Sequence, residues 1–291
     1  MSTEYLTNIA IQISIYLILA QSLNLTFGKG KLLNLAHIAA FALGSYTTAI
    51  LSTTYNFNVV SCLICSALIS GLIAILIGGI SLRLSRDYFA IGSIAFAAII
   101  QSLLINWKEL THGTLGISGI PRPAFWEIDF YNNVNFLIFT SLCSICCLLI
   151  LRLIFSSRIG RSLVALAEFE QAAISLGINN SEVKNIAFLI SSAFAGIAGS
   201  LFAYYLNFID PSSFTINEMM FVLAIVVAGR PGSYKGAIFA TFLMILLPEP
   251  IRFLELSSSI VGPVKQLVHA SILVIIVWIY RDKLFPIERK I

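Results

Sequence analysis

Nine stretches of this chain run almost without charge, and their lengths restrict the fold more than any motif does. They lie near 8–27, 36–51, 59–82, 88–106, 134–152, 185–206, 217–229, 236–250 and 264–280. A helix rises about 1.5 Å per residue, so crossing a bilayer core of about 30 Å takes about twenty apolar residues. Two or three of the stretches fall short of that. This predicts broken or half-spanning helices, which persist only where protein or a cavity satisfies the freed backbone groups. Only 11% of the residues are charged and 58% are hydrophobic, against about a quarter charged in soluble domains. The expected fold is all-α: a polytopic transmembrane helical bundle of about eight to ten helices, short or broken ones included. It forms a single domain over residues 1–291.

Lysine and arginine orient such a bundle, because basic loops stay on the cytoplasmic side. With segment 156–184 placed inside, the inner residues are Lys29, Lys31, Arg83, Arg86, Arg152, Arg158, Arg161, Lys184, Arg230, Lys235, Arg281, Lys283, Arg289 and Lys290. The outer ones are Lys108, Arg122, Arg252 and Lys265. Fourteen of the eighteen basic residues then lie inside, which predicts an external N-terminus, a cytoplasmic C-terminus and an external loop over 107–133. The net charge of +4 follows from this bias and does not argue for nucleic acid. No basic run precedes the first apolar stretch, where Glu4 stands instead. That stretch is expected to remain as a helix rather than be cleaved as a signal peptide.

Few residues suggest chemistry. Cys62-x-x-Cys65 lies inside an apolar run with no second Cys/His pair at useful spacing, so it reads as small apolar filler and no metal is expected. Gly28-Lys29-Gly30-Lys31 lacks the spacing and the Ser/Thr of a phosphate loop, so this chain is not expected to bind ATP or any other cofactor. His37, His112 and His269 lie far apart in the sequence, and no catalytic constellation forms. His37 is a polar group at membrane depth, a functional candidate by default. With Gln101 and Asn106 it is a candidate for lining a translocation path, against the plainer role of bonding a neighbouring helix. Glu218 opens a short apolar run and is expected to cap it through the helix dipole. Small residues recur every four positions at Ala195, Gly199 and Ala203, and at Gly232, Gly236 and Ala240. That spacing lets helix backbones approach closely, either within the chain or at a subunit interface.

One polar island, 156–184, is built differently. Ala172 and Ala173 carry almost no side chain, Glu168 and Glu170 precede them, and Gly177 follows. A short helix with a small-residue patch can enter a groove on another protein, and Gly177 can end it in a left-handed turn. The alternative, an amphipathic helix on the inner leaflet, would favour Trp and more Lys or Arg than the island has.

The core of this island resembles the loop by which membrane subunits of bacterial ATP-binding-cassette importers grip their ATPases. Further segments resemble the branched-chain amino acid permeases of that class, closest to the second, M-type permease. They are Leu35–Tyr46 (LAHIAAFALGSY), Arg83–Ile91 (RLSRDYFAI), Thr111–Ile117 (THGTLGI), Leu176–Asn179 (LGIN), Ala193–Gly199 (AFAGIAG) and Val226–Ser233 (VVAGRPGS). The resemblance implies a bacterial inner-membrane permease subunit that moves leucine, isoleucine, valine or similar small amino acids by ATP-driven alternating access. It implies Glu168, Glu170, Ala172, Ala173 and Gly177 as ATPase-docking residues. The implied partners are a sister permease forming a heterodimer, two cytoplasmic ATPase subunits that bind the ATP, and a periplasmic substrate-binding protein. The subunit itself would not be an enzyme. Alternatives are a permease for urea or short amides, or an ion-coupled secondary transporter, which would need charges near the bilayer midplane.

Overall fold

The computed structural model describes residues 3–81, 86–125, 128–250 and 258–284. Arg83, Arg252, Arg289 and Lys290, and the first residues of the 83–91 motif, lie outside the described residues. All nine apolar stretches are helical. In chain order the helices are α1 (Thr3–Leu23), α2 (His37–Thr53), α3 (Val59–Ser81), α4 (Arg86–Asn106), α5 (Lys108–Thr111), α6 (Asn133–Ser156), α7 (Arg158–Glu168), α8 (Glu170–Ser175), α9 (Asn180–Leu206), α10 (Ile216–Ala228), α11 (Tyr234–Leu246) and α12 (Ser258–Leu284). α1 runs on into a π-helical turn, Asn24–Lys29. The strands are two residues each: β1 (Ile117–Ser118) pairs with β4 (Phe208–Ile209), and β2 (Ala124–Phe125) with β3 (Ile128–Asp129), both antiparallel.

Among the described residues, five helices are long and apolar enough to cross a membrane, and several shorter apolar ones accompany them. α6 shows why these surfaces suit lipid. Phe136, Thr140, Ser144, Cys147, Leu151 and Phe155 form its buried stripe, at steps of three and four residues. Its opposite face, Ile138, Leu142, Ile145, Leu149 and Leu153, is equally apolar and exposed. A helix apolar all round has no face for water. α10 and α11 have thirteen residues each, about 20 Å of helix, so each spans only part of a bilayer. They are the half-spanning helices that the short apolar runs predicted, and they pack on each other as a hairpin.

The centre of the bundle is α9, packed against α2 and α3. Ala195, Gly196, Ala198, Gly199, Ser200 and Ala203 are all buried there. The first small-residue set therefore packs inside this chain. A Cβ on Gly44 would overlap the Gly196 backbone, and one on Gly199 would overlap the Phe41 carbonyl. Hydroxyls tie the close approach together. Ser45 Oγ donates to the Gly199 carbonyl at 2.9 Å. Thr48 Oγ1 lies 2.8 Å from Ser66 Oγ and 2.6 Å from Ser200 Oγ. Ser66 Oγ and Ser70 Oγ donate to the Gly44 and Ala40 carbonyls, each at 2.9 Å. In lipid, close packing and such bonds replace the hydrophobic effect between helices. In the second set, Gly236 lies where a Cβ would overlap the Gly229 carbonyl, which closes the α10–α11 turn.

Candidate coupling site

The island folds as two short helices fastened to the bundle. Ser157 caps α7, its Oγ accepting from Gly160 N at 3.4 Å. Leu163 of α7 packs with Leu25, Phe155 and Ala187, and Leu166 and Ala167 are buried with it. The apolar face of α7 is therefore used inside the protein and is not free to lie on a membrane. Lys29 lies over the Phe155 ring, 5.6 Å from its centroid.

α8 ends as its sequence predicts. Gly177 has φ +86°, its N–H donates to the Ile174 carbonyl at 2.9 Å, and Ile178 N donates to the Ala173 carbonyl at 3.1 Å. These are the two bonds of a Schellman termination, in which a left-handed residue lets the following N–H groups reach back to the last turn. Glu170 points back into the chain: its Oε1 accepts from Asn180 Nδ2 at 2.5 Å and from Lys184 Nζ at 3.2 Å. It holds α8 against the start of α9. Asn179 caps that helix, accepting from Glu182 N at 3.3 Å.

The two alanines face opposite ways. Ala172 is exposed, whereas Ala173 is 3% exposed and packs inward. The outward face of α8 and its flanks carries Glu168, Ala172 and three large apolar groups the sequence reading did not single out. Phe169, Ile174 and Leu176 are 74%, 48% and 84% exposed. Three large apolar groups around one rigid turn form the kind of exposed cluster that marks an interaction surface.

The remaining candidates fall on other elements. His37 is buried, with Nε2 3.0 Å from Ser22 Oγ and 3.3 Å from the Leu19 carbonyl, and Nδ1 3.5 Å from Ser191 Oγ. It ties α1, α2 and α9. Gln101 is half-buried on α4. Asn106 is exposed at the end of α4, where its Nδ2 donates to the Ser102 carbonyl at 2.8 Å. Glu218 lies in the first turn of α10, as expected, and also accepts a hydrogen bond from the Tyr16 hydroxyl on α1. The cysteines remain free.

Asn24 plays a part that no local pattern disclosed. In the π turn, its Oδ1 accepts from Gly232 N at 2.8 Å and its Nδ2 donates to the Ser233 carbonyl at 3.1 Å. Gln21 adds a bond to the Tyr234 carbonyl at 2.6 Å. Together they latch the α10–α11 turn to the end of α1. Asn24→Leu strands two backbone groups of that turn and should destabilise the fold by about 2–3 kcal/mol. Thermal unfolding of the purified subunit checks this; an unchanged midpoint would contradict it.

Fold and site thus define a multi-pass helical membrane protein with a two-helix hook fastened to its bundle. The comparisons narrow this. The family model for the permease component of the branched-chain amino acid transport system matches residues 5–277. The chain is 37% identical over 280 residues to the high-affinity branched-chain amino acid transport system permease protein LivM of Salmonella typhimurium, and likewise to LivM of Escherichia coli. Each alignment covers 88% of this chain and 66% of the relative. It is 24% identical over 255 residues to the high-affinity branched-chain amino acid transport system permease protein LivH of Escherichia coli, covering 79% of this chain and 80% of LivH. A solved structure, PsaBC from Streptococcus pneumoniae in complex with Fab, aligns over 94% of this chain and 91% of its own at 15% identity, with a TM-score of 0.47. The chain belongs to the family of branched-chain amino acid transport permease components. It spans 66% of the length of the Salmonella and Escherichia coli LivM proteins.

Proposed function

We infer that this chain is the M-type permease subunit of an ATP-binding-cassette importer of branched-chain amino acids in a bacterial inner membrane. The observation that carries this is the family match across almost the whole apolar bundle, and the two-helix hook held to that bundle supports it. The subunit pairs with a sister permease, two cytoplasmic ATPases bind and hydrolyse the ATP, and a periplasmic binding protein delivers substrate. Segment 156–184 faces the cytoplasm and 107–133 faces outward, as the basic residues dictate. In the hook, Ala172, Phe169, Ile174 and Leu176 enter the ATPase groove, with Glu168 beside them. Glu170, Ala173 and Gly177 shape the hook from behind. When the ATPases close, a hook packed to the bundle through α7 carries the motion into the helices, and the two permeases rock between outward and inward access. His37 serves as a tie within that moving body, whereas Gln101 and Asn106 on α4 remain open to a path or a partner.

Leucine uptake into proteoliposomes holding the assembled complex tests the substrate. Leucine, isoleucine and valine should compete with one another for uptake, and urea at the same concentration should not. Competition by urea with none by valine would replace the amino-acid reading with the amide one. On the same vesicles, Ser175→Cys should react with an impermeant maleimide only from the ATPase side; labelling from the opposite side would invert the topology.

A further inference from the structure

Within the hydrophobic bundle, two charges of opposite sign face one cavity. Between α1, α10 and α12 lies an open pocket of about 500 Å³, within the usual range for small-molecule sites of about 300–1,000 Å³. Glu218 and Lys265 both line it, and its apolar lining includes Met220, Phe221, Ala224 and Leu273. Charged side chains on membrane helices are costly and mark functional positions. Two of opposite sign on different helices facing one cavity have a specific complement: a small molecule bearing both charges.

The walls are held in place. Glu218 accepts from the Tyr16 hydroxyl, which leaves carboxylate lone pairs for a second donor. Lys265 pairs with Glu249 at 3.0 Å, and an ammonium has three donors, so the pair uses one and leaves two. The Phe221 ring packs edge-on to Tyr16, centroids 5.4 Å apart, and lies 4.6 Å from the His269 ring. His269 Nε2 is 3.0 Å from the Met244 carbonyl, which fixes that ring against α11. A second cavity, lined by Gln12, Glu249 and Lys265 among others, adjoins at Lys265. Lys265 thus stands between two cavities, one of them mainly polar.

We propose that this cavity is a transient binding site for a zwitterionic aliphatic amino acid, with Glu218 receiving its α-ammonium and Lys265 its carboxylate. Met220, Phe221, Ala224 and Leu273 receive the branched side chain. This rests on the amino-acid permease reading above. It adds a recognition step inside the membrane subunit itself, so that selection does not end when the binding protein releases its cargo. A zwitterionic lipid headgroup presents the same two charges, and the test separates the two sources.

The test uses the assembled complex in nanodiscs with a diazirine analogue of leucine as photoprobe. Label should appear on the peptides carrying Met220–Ala224 or Leu273, and excess leucine should remove it. Glu218→Gln and Lys265→Gln should each cut it by about tenfold or more, the scale expected for losing one charge partner in a desolvated site. Ala270→Phe fills the cavity from an exposed wall position without removing a charge, and should do the same. Retention of the ATPase and the sister permease verifies that each variant is folded. The proposal is overturned by label confined to other helices. It is equally overturned if any one of the three variants labels fully, or if added phosphatidylethanolamine displaces the probe and leucine does not. Leucine uptake is measured in parallel: uptake by the wild type with an unlabelled cavity defeats this inference alone, whereas no uptake of any branched-chain amino acid defeats the functional reading beneath it.

Discussion

Gly44→Leu is expected to prevent the subunit from reaching a folded, monodisperse state. α2 and α9 touch backbone to backbone at Gly44 and Gly196, and any Cβ at Gly44 overlaps the Gly196 main chain. Main-chain atoms cannot rotate away as a flexible side chain can, so the helices must separate. Separation also breaks the bonds from Ser45 to the Gly199 carbonyl and from Thr48 to Ser200 Oγ. Overpacking alone costs about 1–3 kcal/mol or more. Each membrane hydrogen bond adds about 0.6 kcal/mol. A total of several kcal/mol is a large share of a net stability of about 5–15 kcal/mol. Sterics dominate this sum, so Ser45→Ala, which removes only the hydroxyl, should lower the unfolding midpoint slightly and leave the elution profile intact. Equal damage from both variants, or a well-folded Gly44→Leu, would contradict the packing described.

Leu176→Glu should have the opposite character: a folded permease that no longer holds its ATPase. Leu176 is 84% exposed, so the change disturbs no contact within the chain. In the complex it would place a carboxylate in an apolar groove without a partner. About 3 kcal/mol of lost binding corresponds to roughly a hundredfold in Kd. Ala172→Glu should act alike, because Ala172 faces outward. Ala173→Glu should instead unfold the hook, because that side chain is enclosed by the chain itself. Co-purification of the ATPase at wild-type yield with Leu176→Glu would remove the hook from the coupling role.

Much of this fold was legible because lipid demands length. Each of the nine apolar stretches is helical in its described residues, with ends displaced by a few residues where caps such as Asn132, Asn179 and Ser233 set the start. Gly177 was equally legible, since a glycine after a short helix has one common reason to be there. What could not be read was anything that needs two distant segments. Ala172 and Ala173 look identical in sequence, and only the packing of α7 and α8 on the bundle separates the outward one from the inward one. Nothing local shows that Asn180 and Lys184 lie against Glu170. Asn24 meets a turn 208 residues away, and Glu218 meets Tyr16 across 202, so no local pattern reveals either. The stretch 117–118 showed only glycines around it, although its partner strand lies beyond α9.

The central claim is that this bundle is driven by ATP through a separate subunit and not by an ion gradient. The most direct measurement is leucine entry into proteoliposomes containing the assembled complex, with binding protein outside and ATP on the ATPase side. Uptake should stop when ATP is removed and continue when an ionophore collapses the proton and sodium gradients. Uptake that survives without ATP but collapses with the ionophore would contradict the account and make the chain a secondary transporter.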